Sequence, residues 1–450
     1  MGYSSSPYQK AAFLLNEIWE RQCGIKSLVY DKKGTLQCTK STYAQVCKVL
    51  AHQATLRKLL QIVPMEGTKN EGLLYVLLYE LLLGPNKAIQ GGGVLKRKLV
   101  LLQDRFQTAL KDMDVADISV LSPAARFPRY VRVNTLQTTT ASIIQILQKM
   151  KIECYRDPHV PDLLVLPRSA TKDLQQHDAL LPSKIVLQDK SSCFSALCLT
   201  RGFVDSGMDG DYLDACAAPG NKTSHLAALV AQQKQQDQSN AKAKPATIYA
   251  LDRNKARLES LKKRMQALIP SSAADTHAAV RVEPMLKDFL TLNGSDVPKV
   301  TSILLDPSCS GSGIFTSVDR HNEARGGDDA DEASRLQALF NFQSTALKHA
   351  LTNFPNVKRV VYSTCSVNVE ENEQVVGEVL RDHGGDVWKL IAPRCLATWH
   401  RRGQAVEGLL SADDASRLIR VDQGDDTNGF FVACMERVGV QPNTRHPKSQ

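Results

Sequence analysis

Val360-Val361-Tyr362-Ser363-Thr364-Cys365-Ser366 is a β-branched and aromatic run that stops abruptly on a cysteine flanked by hydroxyl residues. It reads as a buried strand delivering a thiol to its carboxyl end. In open α/β sheets that rim is where ligands and chemistry collect. A lone cysteine there is more often core than chemistry, because free Cys is among the most buried residue types. The reading therefore turns on what else reaches the same rim.

Upstream, Leu304-Leu305-Asp306-Pro307-Ser308-Cys309-Ser310-Gly311-Ser312-Gly313 ends another apolar run in a carboxylate, a proline and a second thiol within a glycine-rich loop. Around these runs strand and helix signals alternate, with strands at 211–216, 247–251, 279–284, 301–305 and 357–364 and helices at 222–232, 255–268, 333–352 and 371–383. Such alternation predicts a doubly wound, largely parallel α/β sheet with right-handed crossovers. Two thiols and a carboxylate then arrive on neighbouring strand ends. A last apolar stretch, Asn428-Gly429-Phe430-Phe431-Val432-Ala433-Cys434-Met435, predicts a final strand able to close a hairpin with an earlier one.

The first strand of this series runs into Ala217-Ala218-Pro219-Gly220-Asn221-Lys222-Thr223 and then a helix. A tight glycine-containing turn of this kind lets a ligand approach backbone N–H groups at a helix amino terminus. It matches neither a phosphate-binding P-loop nor the Gly-x-Gly-x-x-Gly dinucleotide fingerprint. Asp252 ends the second strand, where a carboxylate can accept hydrogen bonds from both hydroxyls of a ribose. Asp288 follows the third strand and can meet an adenine amino group. Either Asp alone is equally a helix cap; together with the turn they outline an adenosine pocket.

Residues ahead of the sheet have a different character. From about 8 to 118 the pattern is helical, with segments at 8–23, 41–63, 71–83 and 94–113 predicting a small helical bundle. Pro128-Arg129-Tyr130-Val131-Arg132-Val133-Asn134 then alternates like a strand, 138–150 reads as an amphipathic helix and 163–166 as a second strand. Alternating arginines can bring guanidinium groups to one sheet face, against phosphates or bases, or can be a solvated edge. Gln188-Asp189-Lys190-Ser191-Ser192 leads into a helix at 193–199. Two low-complexity inserts, 232–244 and 319–332, read as surface loops, and 439–450 as an unstructured tail.

The 450 residues carry an uneven charge. Residues 1–200 hold 26 Lys+Arg against 16 Asp+Glu, a net +10, whereas 201–450 hold 30 against 31, a net −1. A basic segment beside a near-neutral one suits a polyanion-binding attachment on an enzyme body, or a solvated surface. The 11 cysteines form neither Cys-x-x-Cys pairs nor zinc-site spacings, which points to free thiols and no metal. No uninterrupted apolar run is long enough to span a bilayer; the nearest, at 73–83, is broken by Glu80.

Asp214-Ala-Cys-Ala-Ala-Pro-Gly-Asn-Lys-Thr, Asp306-Pro-Ser-Cys-Ser-Gly-Ser-Gly and Tyr362-Ser-Thr-Cys-Ser-Val-Asn-Val-Glu-Glu-Asn-Glu together resemble the motifs of the Sun/RsmB-like family of RNA cytosine-5 methyltransferases. The similarity covers roughly 126–436 and includes Arg132-Val-Asn, Gln188-Asp-Lys-Ser-Ser and Gly429-Phe-Phe-Val-Ala. Ser308 departs from the proline that most of the family has before this cysteine. With the helical amino-terminal region, that departure resembles the eukaryotic branch acting on large-subunit ribosomal RNA.

The resemblance implies a Rossmann-like class I methyltransferase sheet over 186–438, preceded by a small α+β (RRM-like) module over 121–185 and a helical domain over 1–120. It implies S-adenosylmethionine as cofactor, held by Cys216, Ala217, Ala218, Pro219, Gly220 and Lys222 at the methionine end, with Asp252 for the ribose, Asp288 for the adenine, and Arg257 and Asp306 as further pocket residues. It makes Cys365 the nucleophile on cytosine C6, Cys309 the group assisting release and Asp306 the contact to the base; residue chemistry alone leaves the two thiols interchangeable. Arg129, Arg132, Asn134 and Lys190 are expected at the RNA, with Lys190 or Lys222 lowering the thiol pKa. A monomer acting on rRNA in pre-ribosomal particles within the nucleolus follows as an expectation. Transfer RNA or DNA as substrate, and an RNA-binding assembly factor with dispensable catalysis, are the alternatives.

Overall fold

The structure, a computed structural model, describes residues 6–21, 39–65, 67–113, 127–170, 174, 183–203, 210–236, 245–270, 279–314, 329–384 and 387–438. The insert at 319–332 and the tail at 439–450 lie wholly or largely outside these, as does 237–244 of the other insert. Two compact units emerge, residues 1–126 with 315–333 and residues 127–314 with 334–450.

The first unit is helical: α1 (Pro7–Glu20), α2 (Lys40–Ala51), α3 (Gln53–Ile62), α4 (Glu71–Leu82), α5 (Val94–Leu101) and α6 (Gln103–Asp112). Thr39 and Asn70 cap α2 and α4 with side-chain oxygens on the N–H groups of Thr42 and Leu73. Apolar positions at helical spacing bury Leu15, Ile18, Val46, Val49, Leu50, Leu56, Leu59, Leu78 and Phe106 in one core. The continuous helices predicted at 41–63 and 94–113 each break once, at His52 (φ −105, ψ 12) and Leu102 (φ −98, ψ 8). One residue in the bridge region ends each first half and starts the second, so both halves can face the same core.

The second unit opens with β1 (Arg129–Val133), α7 (Thr140–Lys149), β2 (Tyr155–Arg156), β3 (Leu163–Leu166) and β4 (Ile185–Leu187). These strands form an antiparallel sheet in the order β2-β3-β1-β4. Then follow α8 (Lys190–Arg201), β5 (Asp211–Asp214), α9 (Asn221–Gln236), β6 (Ala246–Asp252), α10 (Lys255–Leu268), β7 (Val280–Leu286), β8 (Val300–Leu305), α11 (Asp329–Thr352) and β9 (Arg359–Thr364). The segment expected as a plain helix at 371–383 is a π turn (Glu370–Gln374), a short α12 (Val375–Val379) and a second π turn (Leu380–Gly384). β10 (Trp388–Ile391), β11 (Ile419–Val421) and β12 (Phe430–Arg437) complete the unit.

The large sheet runs β10-β12-β9-β8-β5-β6-β7, with β11 pairing to β12. β5 to β9 are parallel neighbours, as the alternation predicts. The final strand β12 lies antiparallel between β9 and β10. Sequence order steps outward from β5 through β6 to β7, then returns to β8 on the other side of β5. Ligands in such sheets sit at the carboxyl ends of the strands where the order reverses. Here those ends belong to β5 and β8, with β9 next to them.

One face of the large sheet shares its core with the small sheet, where Tyr130, Val160, Leu163 and Val165 pack with Phe194, Leu197, Val230 and Phe430. The opposite face buries Leu213, Ile303, Leu305, Leu347, Val360, Tyr362 and Phe431. Parallel strands covered on both faces are expected to be almost uniformly apolar, and every residue of β9 is buried. No described helix is long and apolar enough to cross a membrane.

Candidate active site

Each chemical residue stands where a buried strand runs out. β8 ends at Leu305, so Asp306 is the first side chain past the sheet; β9 ends at Thr364, so Cys365 is likewise the first beyond it. The loop carrying Cys309 is drawn over Cys365 by backbone bonds, the Gly313 N–H donating to the Cys365 carbonyl at 2.8 Å and the Gly429 N–H to the Gly313 carbonyl at 2.7 Å. Glycine is required there, because a Cβ on Gly313 would stand 2.4 Å from the Gly429 carbonyl oxygen. Three loops thus converge, and Cys309 Sγ comes to 3.1 Å from Cys365 Sγ.

The two sulfurs are not equivalent. The thiol of Cys365 is acidified, first by the hydrogen bond from Cys309 and, against burial and the nearby Asp306, by the positive charge of Lys222. Cys309 is pushed well above the ordinary thiol range by the same hydrogen bond and by burial. Cys365 is therefore the more acidic thiol of the pair and Cys309 the less acidic. Cys216, one strand over, has its thiol pushed up to about 12 by burial and by the carboxylates of Asp214, Asp306 and Asp252, which leaves it inert.

Asp306 is held from both sides. Lys222 Nζ donates to its Oδ2 at 2.7 Å, and Ser363 Oγ donates to its Oδ1 at 2.7 Å. Ser195 Oγ on α8 donates in turn to Ser363 Oγ at 2.9 Å. Burial works against the Lys222 ammonium, but the charge and hydrogen bond of Asp306 outweigh it and raise its pKa. Lys222, expected at the methionine end of the cofactor, donates to the Asp306 carboxylate and lies 5.3 Å over the Phe430 ring. Of the two lysines proposed to acidify the thiol, Lys222 is the one that acts on Cys365.

The turn after β5 is built for a close approach. Ala217 donates its N–H to the Leu251 carbonyl at 2.8 Å, and the Ala218–Pro219 bond is cis. Gly220 (φ +103) lies against α10, where a Cβ would meet Leu261 at 2.7 Å and Met265 at 2.8 Å. Asp252 ends β6, buried, with Oδ1 accepting from the Asn254 N–H at 2.8 Å and Oδ2 paired to Arg257 at 3.3 Å. Arg257 also donates to the Ala218 carbonyl at 2.8 Å, so it braces the turn against the carboxylate. Asp288 Oδ1 caps the short helix after β7 by accepting from Leu290 N–H at 3.0 Å, while Oδ2 lies 3.8 Å from exposed Arg253. In register beside Asp252, the side chain of Leu286 is 54 % exposed. An exposed leucine next to a buried carboxylate, at the reversal of strand order, fits the adenosine end of S-adenosylmethionine: apolar contact for the adenine and acceptors for the ribose.

Several side chains escaped the sequence reading. Leu286 and Ser363 are apolar or small residues inside strands, with no local mark of function. Asp214 ends β5 fully buried, its carboxyl raised to about 7 by burial despite the hydrogen bond from Thr223 Oγ1 at 2.7 Å.

Three of the four residues expected at RNA are occupied elsewhere. Arg132 is 1 % exposed, with Nε donating to Gln188 Oε1 at 2.8 Å and Nη2 to Ser224 Oγ at 2.7 Å. Asn134 is equally buried and donates to the carbonyls of Ser183 and Leu268, each at 2.7 Å. Lys190 pairs with Asp157 at 2.7 Å, lies 3.2 Å from His159 Nδ1 and sits over the Trp399 ring. These three rivet the small sheet to the large one, because a guanidinium, amide or ammonium in a buried seam must find its partners inside. Arg129 alone is half-buried, its basicity reduced by desolvation and by the neighbouring charge of Arg168. Among the described residues no cluster of His, Cys, Asp and Glu is placed to hold a metal ion.

Residues 205–436 match the 16S rRNA methyltransferase RsmB/F family. The chain is 35 % identical to a 28S rRNA (cytosine-C(5))-methyltransferase of Mus musculus, over 97 % of this chain and 92 % of the relative. It is 33 % identical to the 25S rRNA (cytosine-C(5))-methyltransferase rcm1 of Schizosaccharomyces pombe, over 95 % and 90 %. Among solved structures, a methyltransferase homolog protein from Pyrococcus horikoshii shares the fold at a TM-score of 0.52 and 21 % identity, over 85 % of this chain and 99 % of that one.

Proposed function

The chain belongs to the 16S rRNA methyltransferase RsmB/F family, and on that premise we propose that it methylates C5 of a cytidine in large-subunit ribosomal RNA through a covalent adduct on Cys365. The observation that carries this reading is the 3.1 Å contact between two thiols of opposite character, one acidified and one held protonated, beside a fixed carboxylate. The near full-length similarity to relatives named for 28S and 25S rRNA supports the large subunit as substrate.

Cytosine C5 is a poor nucleophile until a thiolate adds to C6 and makes C5 enamine-like. Cys365, the more acidic thiol, attacks C6 as its thiolate. Asp306, oriented by Lys222 and Ser363, faces the N3/N4 edge and accepts from the N4 amino group, which fixes the base for attack. The proton on C5 must leave before the C6–sulfur bond can break, and Cys309 assists that release. Asp252, Leu286 and Asp288 would hold the adenosine of S-adenosylmethionine, and the Cys216–Gly220 turn its methionine end; when bound, its sulfonium supplies the methyl group.

The base must leave any stack to reach the rim, so the flanking RNA needs a platform. The small antiparallel sheet with α7 serves as an RRM-like module for it. Arg129, Arg168 and the exposed Tyr155-Arg156 strand β2 at its edge supply cationic and stacking groups. A monomer acting on pre-ribosomal particles in the nucleolus fits this substrate.

The test is transfer of a labelled methyl group from S-adenosylmethionine to ribosomal RNA by the purified protein. Incorporation at cytosine C5 is expected, with none in Cys365→Ala and a stable protein–RNA adduct in Cys309→Ala. Undiminished transfer in Cys365→Ala would overturn the mechanism, and ordinary release from Cys309→Ala would remove the role of Cys309.

A further inference from the structure

A sulfur contact between two loops needs something to hold the loops in register. Glu371 is fully buried and reaches both. Its Oε1 accepts from the Ser310 N–H at 2.8 Å and from Gln343 Nε2 at 3.0 Å. Its Oε2 accepts from Ser310 Oγ at 2.5 Å, Ser366 Oγ at 2.5 Å and Asn368 Nδ2 at 3.2 Å. Ser310 directly follows Cys309, and Ser366 directly follows Cys365. A single carboxylate therefore ties together the residues next to each thiol.

The carboxylate is itself anchored. Tyr362 Oη on β9 donates to the Glu371 carbonyl at 2.6 Å. Next along the π turn, Asn372 accepts from Thr364 Oγ1 at 2.5 Å and donates to the Ser366 carbonyl at 3.0 Å. Gln343 on α11 also donates to the carbonyl of Ser308, the residue before Cys309, at 3.0 Å. We propose that Glu371 is the positioning residue that sets the Cys309–Cys365 separation, with Gln343 bracing the Cys309 side; this deepens the methyltransferase reading and rests on it for its catalytic consequence. A carboxylate suits the task because it offers acceptors in two directions, and buried donors left without it would reorganise.

The separation can be read without RNA. Diamide takes two electrons and two protons from a pair of thiols as their disulfide forms, at a rate set by how often the sulfurs meet. The Cys309–Cys365 disulfide is followed by mass spectrometry of linked peptides in wild-type protein and in Glu371→Ala, Glu371→Gln and Gln343→Met. The circular-dichroism spectrum and melting temperature of each variant serve as the control on folding. Glu371→Ala is expected to slow the Cys309–Cys365 bridge about tenfold and to lower kcat about 100-fold with KM little changed, as a misplacement on the order of 1 Å can. Glu371→Gln, whose amide oxygen can still accept from Ser310 and Gln343, should recover most of the bridging rate, and Gln343→Met should fall between.

Wild-type bridging in Glu371→Ala and Gln343→Met would overturn the proposal. If Glu371→Ala loses its folded spectrum, Gln343→Met decides: a slowed bridge with the fold intact supports the proposal, a wild-type bridge refutes it. Slowed bridging in the variants, with no methylation by the wild type, would overturn the functional reading and leave the positioning role standing.

Discussion

Cys309 Sγ lies 3.1 Å from Cys365 Sγ, and the hydrogen bond between them acidifies one thiol while holding the proton on the other. A donor stabilises the thiolate that accepts from it, so deleting the donor must raise the acceptor's pKa. Alkylation of Cys365 by iodoacetamide, followed against pH, is therefore expected to half-saturate below the ordinary thiol value in wild type and to move upward in Cys309→Ala. A profile that stays put or moves down would mean that Lys222 alone sets the thiolate.

Asp306 acts on the thiol and on the base in opposite senses. Its negative charge works against the Cys365 thiolate, so Asp306→Asn should lower the alkylation pKa further and make more thiolate available. Methyl transfer should nevertheless fall by about 100-fold, the usual cost of losing a preorganised charge at a reacting centre. Transfer that rises along with the thiolate fraction would show that Asp306 does not face the base.

Arg132 and Arg129 occupy one strand and are expected to respond differently. Burial pulls the Arg132 guanidinium down to about 10, and Gln188 and Ser224 are its partners. Arg132→Ala leaves those partners buried and should cost about 3 kcal/mol or more in chemical denaturation. Arg129→Ala should cost little stability but weaken RNA binding and reduce its salt slope by about 0.7. Equal salt slopes for Arg129→Ala and wild type would remove Arg129 from the RNA interface.

Asp214 gives the fold a pH dependence of known sign. Burial raises its carboxyl from 3.8 to about 7, so the unfolded chain loses this proton first as pH rises. Its stabilising contribution is complete below the unfolded value and lost as pH climbs through about 7. Asp214→Asn, which keeps an acceptor for Thr223, should be progressively more stable than wild type between about pH 4 and 7, by about 4 kcal/mol at most. Parallel melting temperatures for the two proteins across that range would contradict it.

Much of this arrangement could be read without coordinates. The strand ending at Cys365 is legible because β9 is covered on both faces and so is written almost wholly in β-branched and aromatic residues. The turn after β5 and the loop after β8 carry glycines where backbone must approach backbone or helix, and those survive in the sequence as Gly220 and Gly313. Arg132 was not legible. Strand alternation puts Arg132 on the face of β1 opposite to Arg129, not on a shared one, and the partners that cover its side are Gln188 and Ser224, far away in the chain. A basic residue facing solvent and one facing a polar seam look the same in a strand pattern.

The sequence by itself determined the alternation of β5 to β9 with helices, the α/β class, the identity of the groups delivered to the rim and the family to which they belong. Local periodicity and turn chemistry are properties of neighbours along the chain, present before the chain folds. Only the tertiary structure decided that β12 enters antiparallel between β9 and β10, that Lys222 and not Lys190 charges the site, that Cys365 is the more acidic thiol of the pair and that Glu371 joins the two thiol loops. Those outcomes depend on burial and on distances of a few ångströms between residues tens to hundreds of positions apart, and the proton goes where that local field sends it.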